Sequence, residues 1–224
     1  MKLPRPKLPS MNRAILAAGL VFALGAPAAQ ASILFSFTQE GGTVMMRSSG
    51  ALDTTKLVSV SLPDGWGGTG TENNATPGDI DIMGGTDVGG ALDAQFGFHA
   101  GTDASAISGP AGPFAFDSFP TISVSGNKAF TTYSGFIGGL RQPGIGISST
   151  DIIGGIWIPD QVWTYNPGAT FASLGLITGI YSVTDSVTGE AITIQVGGEV
   201  PEPVSLALLG LGLAGLGLSR PGKA

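Results

Sequence analysis

The sequence predicts an all-β fold, a jelly-roll-like β-sandwich flanked by an N-terminal signal helix and a C-terminal hydrophobic helix. Three observations predict it. Short runs alternate large apolar with small or polar residues, the period-two pattern of strands with one buried face. Gly-rich turns separate these runs, with 37 Gly among the 224 residues. Over residues 32–200 no window sustains a 3.6-residue period with caps, and many short strands spaced about 8 to 12 residues apart must each bury a face against a second sheet.

Taken in order, ILFSFT (33–38) alternates large and small residues, TVMMRSSGAL (43–52) follows the Gly41-Gly42 turn, and LVSVSL (57–62) alternates cleanly. Residues 63–90 are so rich in Gly, Asp and Asn that they predict a long surface excursion, with regular structure only around 80–83. Strands resume with AQFGFHA (94–100), FAFDSFPTISVSG (114–126), KAFTTYSGFIGGL (128–140), IGISSTDIIGGIWIP (145–159) and QVWTYN (161–166). The final pair, GIYSVTDS (179–186) and GEAITIQVG (189–197), flanks Val187-Thr188-Gly189 as a hairpin with a Gly-containing loop. Gly-Gly pairs recur, but at unequal spacings with unmatched flanks, which excludes a solenoid.

The two ends differ from this middle. Residues 14–26, AILAAGLVFALGA, follow a start that carries Lys2, Arg5, Lys7 and Arg13 and no acid, and Ala29-Gln30-Ala31 comes next. That is the layout of a secretory signal peptide, with a cut expected between Ala31 and Ser32. The stretch is shorter than the roughly 20 apolar residues that span a bilayer. Met11 is an alternative start, because MNR directly before the apolar run already forms a compact basic region. The expected organisation is a signal peptide at 1–31, a β-sandwich at 32–198 and a sorting segment at 199–224.

Over residues 32–200 four basic residues, Arg47, Lys56, Lys128 and Arg141, stand against fifteen acidic ones, a formal charge of −11. Such a surface repels phosphate backbones and excludes nucleic acid as a partner. The chain has no Cys, so disulfides, thiolate chemistry and Cys-ligated metals are excluded and the core alone must sustain the fold.

Chemistry in the middle is sparse. His99 is the only histidine, with Asp103 and Ser105 close by in HAGTDAS, but a triad is defined by geometry and no G-x-S-x-G elbow positions a serine. Asp79, Asp81, Asp87 and Asp93 in GDIDIMGGTDVGGALD offer oxygen ligands of the kind calcium takes, although neither the EF-hand pattern nor the nonapeptide repeat is present. The alternative is a solvated acidic loop. Asp151, Asp160 and Asp185 supply carboxylates for a glycoside hydrolase only if two of them converge. Trp157, Trp163, Tyr133, Tyr165 and Tyr181 are expected to fill the core, whereas Trp66 lies in DGWGGTG and is either a sugar platform or a cover over one end of the fold. Asn74-Ala75-Thr76 is formally a glycosylation sequon. No catalytic residue, metal ligand or cofactor is assigned, and no enzymatic activity is expected.

The chain closes with VPEPVSLALLGLGLAGLGLSRPGKA. Pro201, Glu202 and Pro203 keep it extended and break it away from the preceding sheet. As a helix, residues 204–218 reach about 22 Å, against a hydrocarbon core near 30 Å. Arg220 and Lys223 then hold the end on the cytoplasmic side once translocation has begun, which sets the triplet at the outer membrane surface. The stretch VPEPVSLALLGLGLAGLGLSR resembles the PEP-CTERM sorting domain of Gram-negative bacteria.

The resemblance implies recognition by exosortase, a transpeptidase-like membrane enzyme; the signal peptide predicts delivery by the Sec translocon, and the apolar segment with its basic end predicts transient inner-membrane insertion. The resemblance also implies a link to biofilm and exopolysaccharide, and a destination at the cell surface or outside the cell. The family's run of arginines is reduced here to Arg220 and, past Pro221-Gly222, Lys223, which predicts weaker retention or less efficient processing. FSFTQEGGTVMMRSSGALDTTKLVSVSL and GLITGIYSVTDSVTGEAITIQVG are similar to the first and last strands of cargo proteins carrying this tail, whose cores are expected to be β-sandwiches without assigned activity. The expected function is therefore a non-enzymatic exported surface or matrix protein. The alternative is a carbohydrate-binding module for exopolysaccharide, with calcium as a candidate aid.

Overall fold

The computed structural model describes residues 32–60, 68–73, 80–85, 92–108, 111–120, 122–134, 136–137, 140–141 and 143–198. Strands dominate. They are β1 (Ser32–Glu40), β2 (Thr43–Gly50), β3 (Leu52–Asp53), β4 (Val58–Ser59), β5 (Gly70–Thr71), β6 (Ile80–Gly84), β7 (Ala94–Gly97), β8 (Ile122–Ser125) and β9 (Phe130–Tyr133). There follow β10 (Phe136–Ile137), β11 (Leu140–Arg141), β12 (Gly144–Ile147), β13 (Ile152–Ile153), β14 (Ile156–Trp157), β15 (Val162–Tyr165), β16 (Gly179–Thr184) and β17 (Ala191–Val196). Helix among the described residues is limited to the 3-10 turns Thr54–Lys56, Ser149–Asp151 and Ala172–Leu174. The all-β expectation holds; both flanking helices fall outside the described residues.

Two six-stranded sheets carry the fold, in the orders β16-β17-β1-β2-β15-β8 and β4-β7-β12-β9-β6-β5. Two smaller sheets, β10-β11 and β13-β14-β3, complete it. Among the described residues every strand pairing is antiparallel except one: β1 and β17, the first and last strands, run parallel from Ser32–Ala191 to Phe37–Val196. Alternation along β1 explains this position. Ile33, Phe35 and Phe37 are fully buried, and a strand buried this deeply needs a neighbour on each side to satisfy its backbone.

One core joins the two large sheets. Phe35 of β1 stacks on Phe130 of β9 with ring centroids 4.6 Å apart, and Phe130 also stacks on Trp163 of β15 at 6.3 Å. Trp157 tilts against the same ring at 6.1 Å. Each such pair contributes about 0.5–1.5 kcal/mol beyond the area it buries. Gly84 makes the cluster possible, since a Cβ there would lie 2.6 Å from Phe130 Cε1 and 2.8 Å from Trp163 Cζ2. One polar chain is met inside as well: Trp163 donates its indole N–H to Gln161 Oε1 at 3.0 Å, and Gln161 Nε2 donates to the Lys128 carbonyl at 3.1 Å.

Within residues 63–90 the expected regular piece around 80–83 is β6. A second strand that the sequence did not suggest, β5, joins it, and Thr71, Asp81, Ile82 and Met83 are fully buried; residues 63–67, 74–79 and 86–90 lie outside the described residues. Backbone pairing overrides the polar composition here, because β6 lies between β9 and β5 and has a partner along each edge. In the opposite sense, the described part of LVSVSL, residues 57–60, yields only Val58–Ser59, and residues 114–120 make single bridges, Phe114 to Leu176 and Thr71 to Ser118, where a strand was expected.

Candidate functional site

The most organised polar constellation lies at the β16–β17 hairpin. Asp185, the first residue of its loop, accepts the backbone N–H groups of Val187 and Thr188, both at 2.8 Å. An Asp bonding its own backbone two and three residues on is the usual device for closing such a loop. Its carboxylate also reaches across the fold to His99, just after β7, accepting the His99 backbone N–H at 2.6 Å and lying 3.0 Å from Nδ1. The Asp185 side chain is fully buried while that of His99 is about one-third exposed. Burial pushes the Asp185 pKa up, but the hydrogen bonds from His99, Thr188 and Val187 outweigh it and hold the carboxyl well below the ordinary range.

With Asp185 ionised, Nδ1 of His99 must be the donor, which leaves Nε2 as the acceptor of the neutral ring. Such an Asp–His pair can orient a base, yet acyl-transfer chemistry needs a nucleophile within hydrogen-bond reach of Nε2. Among the described residues no hydroxyl bonds to it. Asp103 instead accepts the Ser105 backbone N–H at 2.8 Å, so the sequence neighbours of His99 close a local turn and its true partner lies 86 positions away. Thr102 ties the two loops further, accepting the Ser186 N–H at 3.1 Å.

Beside this pair, Glu190 closes the same hairpin. Only 1% exposed, it accepts Lys56 Nζ at 2.9 Å and the Asp53 N–H at 3.0 Å. The bond to Glu190, then its charge, raises the Lys56 pKa. The two acids of the loop therefore anchor it to two separate parts of the fold.

Asp93 and Asp160 behave as loop fasteners. Asp93 accepts both the backbone N–H and the hydroxyl of Ser149 at 2.7 Å. Asp160 accepts the N–H groups of Asn127 and Lys128 at 3.2 and 3.1 Å. Asp81 is fully buried and accepts the Ser134 hydroxyl at 2.7 Å; Asp79 and Asp87, the companions expected for a calcium site, lie outside the described residues. Asp151, Asp160 and Asp185 share no hydrogen-bond partner. No group of three acids and histidines among the described residues is placed to hold a metal ion.

Trp157, Trp163, Tyr133 and Tyr165 are buried in the core, and burial raises the Tyr165 pKa. Tyr181 packs at the rim of that core and donates its hydroxyl to the Ile177 carbonyl at 3.0 Å. Trp66 and Asn74 lie outside the described residues. A shallow groove of about 410 Å³ opens at the other end of the first sheet, lined among others by Thr43, Ser123, Thr164 and Asn166.

Ser32 opens β1, while Ala29 and Ala31 of the expected cut, and Pro201, Glu202, Pro203 and Arg220 of the tail, lie outside the described residues. No helix among the described residues is long and apolar enough to cross a membrane. The chain matches no curated protein and no solved structure. Residues 199–220, however, match the PEP-CTERM protein-sorting motif, which marks an exported, surface-directed protein sorted through exosortase.

Proposed function

We propose that the chain is a non-enzymatic surface or matrix component, built as a β-sandwich over residues 32–198 and delivered by its two ends. The Sec translocon exports it, residues 204–218 hold it transiently in the inner membrane, and exosortase processes it near Pro201, Glu202 and Pro203. The motif at 199–220 is the observation that carries this reading. The stacking of Phe35 on Phe130 supports the sandwich, and the use of Asp93, Asp160, Asp185 and Glu190 as loop fasteners supports a scaffold. Intact mass of the mature protein from an exosortase-competent host tests it: the expected product begins at Ser32 and lacks residues 204–218. A mature product that still contains them would end the processing claim.

The carbohydrate-binding alternative draws on the groove lined by Thr43, Ser123, Thr164 and Asn166, since hydroxyl and amide groups there suit sugar hydroxyls. Titration with purified exopolysaccharide decides it: saturable binding that Asn166→Ala weakens supports a module, and its absence leaves the scaffold reading alone. If EDTA abolishes the binding, calcium takes part.

A further inference from the structure

Exposed apolar side chains stand at the end of the domain where the chain leaves it. Gly197 donates its N–H to the Phe37 carbonyl at 2.8 Å, and Val196 pairs with Gly179. The strand thus ends beside Thr178 and Phe171, each 3.4 Å from where a Gly197 Cβ would stand. Ile177 is 41% exposed, Ile180 71% and Phe116 48%. Phe116 is fixed to this end: its ring lies 3.0 Å from a Cβ built on Gly175, and Ala115 N–H to Gly175 O and Ile177 N–H to Pro113 O, 2.6 and 2.8 Å, zip the two segments together. Gly175 has φ +65°, so no side chain there displaces the ring without backbone strain.

Five residues, 199–203, separate Gly198 from the apolar segment. At no more than about 3.3–3.6 Å each they reach roughly 17 Å, part of which the headgroup layer occupies, at about 5–8 Å per leaflet. A tail inserted from Val204 onward therefore brings this end of the domain to the bilayer surface. Two acids toward this end have partners: Glu40 is paired with Arg47 at 2.8 Å, and Asp117 accepts the Asn73 N–H at 2.9 Å.

We infer that Phe116, Ile177 and Ile180 form a lipid-facing surface that rests in the headgroup–acyl boundary while the tail is inserted. The occupant is the bilayer itself, and the contact holds the triplet of Pro201, Glu202 and Pro203 at the membrane surface. This rests on the proposed membrane insertion of residues 204–218. Exposed apolar residues at the far end, Val187 at 69% and Ile153 at 79%, have no such tether beside them and stay in water.

The absence of Cys in the chain allows single labels. The chain from Ser32 to Ala224 is reconstituted into phosphatidylcholine vesicles with a polarity-sensitive dye on Ile180→Cys or, as a matched control, on Val187→Cys at the opposite end of the same hairpin. Flotation reports whether the tail is inserted, and shallow nitroxide lipids report depth. The expected result is flotation of both, with the dye at 180 blue-shifted and quenched at least threefold more than that at 187. Equal quenching in floating protein overturns the surface while leaving the insertion reading intact. Failure to float overturns both. Protection of position 180 that grows with protein concentration without lipid, or that appears only with exosortase present, assigns the face to a second copy or to the enzyme and also overturns the proposal.

Discussion

Ser32 pairs in parallel with Ala191, and the register runs in step to Phe37 and Val196. The first and last strands therefore enter at one end of the sheet and leave at the other. Because β17 lies between β16 and β1 and buries Ile192, Ile194 and Val196, it belongs to the fold and not to the tail. A chain of residues 32–198 is expected to melt cooperatively, within about 2 °C of the chain that keeps residues 199–224, since a surface change of a few tenths of a kcal/mol moves the midpoint by no more. Residues 32–190, lacking β17, are expected to show no cooperative transition in calorimetry. A midpoint that falls strongly on removal of 199–224 would place the tail within the fold.

Phe130 touches Phe35, Trp157 and Trp163 at once, so its removal empties the contact between the two large sheets. Phe130→Ala is expected to cost about 3–5 kcal/mol in urea unfolding and to erase much of the near-ultraviolet dichroism of the tryptophans. The reverse error is overpacking. Gly84→Ala presses a methyl into the Phe130 and Trp163 rings and is expected to cost about 1–3 kcal/mol. A neutral Gly84→Ala would mean that the two rings yield easily.

Gln161 and Trp163 make a second core prediction. Gln161→Leu keeps the volume but leaves the fully buried Trp163 N–H without its acceptor, which costs about 1–3 kcal/mol. Gln161→Glu keeps an acceptor but buries a charge, and is expected to cost more at pH 7 than at pH 4. Chemical denaturation of both variants at the two pH values checks the order.

What could be read from the sequence was local. The alternation in 33–38, the hairpin at 185–190 and the order of triplet, apolar run and basic end are each written within a few adjacent residues, and period or order alone identifies them. Pairing between distant residues was not legible. His99 is close in sequence to Asp103 and Ser105, yet the fold gives it Asp185, and no spacing rule predicts an 86-residue separation. Only half of that contact left a signal: an Asp opening a loop of Ser, Val, Thr and Gly suggests a side chain bonded to its own turn. Residues 63–90 were legible only in part, for a related reason. The regular piece around 80–83 is there as β6, but the Gly and Asp content gives no sign of β5 at Gly70–Thr71, whose pairing with β6 only the assembled sheet supplies.

The His99–Asp185 contact carries a pH dependence whose sign follows from the carboxylate. Asp185 has its folded pKa held below the ordinary value near 3.9, so its stabilisation is fully present above that value and is lost as the pH falls through the lower, folded one. Asp185→Asn cannot ionise and offers a weaker acceptor to the N–H groups of His99, Val187 and Thr188. At pH 7 it is expected to be about 1.5–3 kcal/mol less stable, the range for hydrogen bonds to a charged group. Below about pH 4 the gap to the native chain should narrow. The facing group, the His99 ring, is tested separately with His99→Gln, which retains a side-chain donor; it should keep most of the stability at pH 7 and show the same loss in acid. Urea midpoints between pH 7 and pH 2 measure all three proteins, and a gap between native chain and Asp185→Asn that stays constant across that range would show that the ionised carboxylate does not hold these loops together.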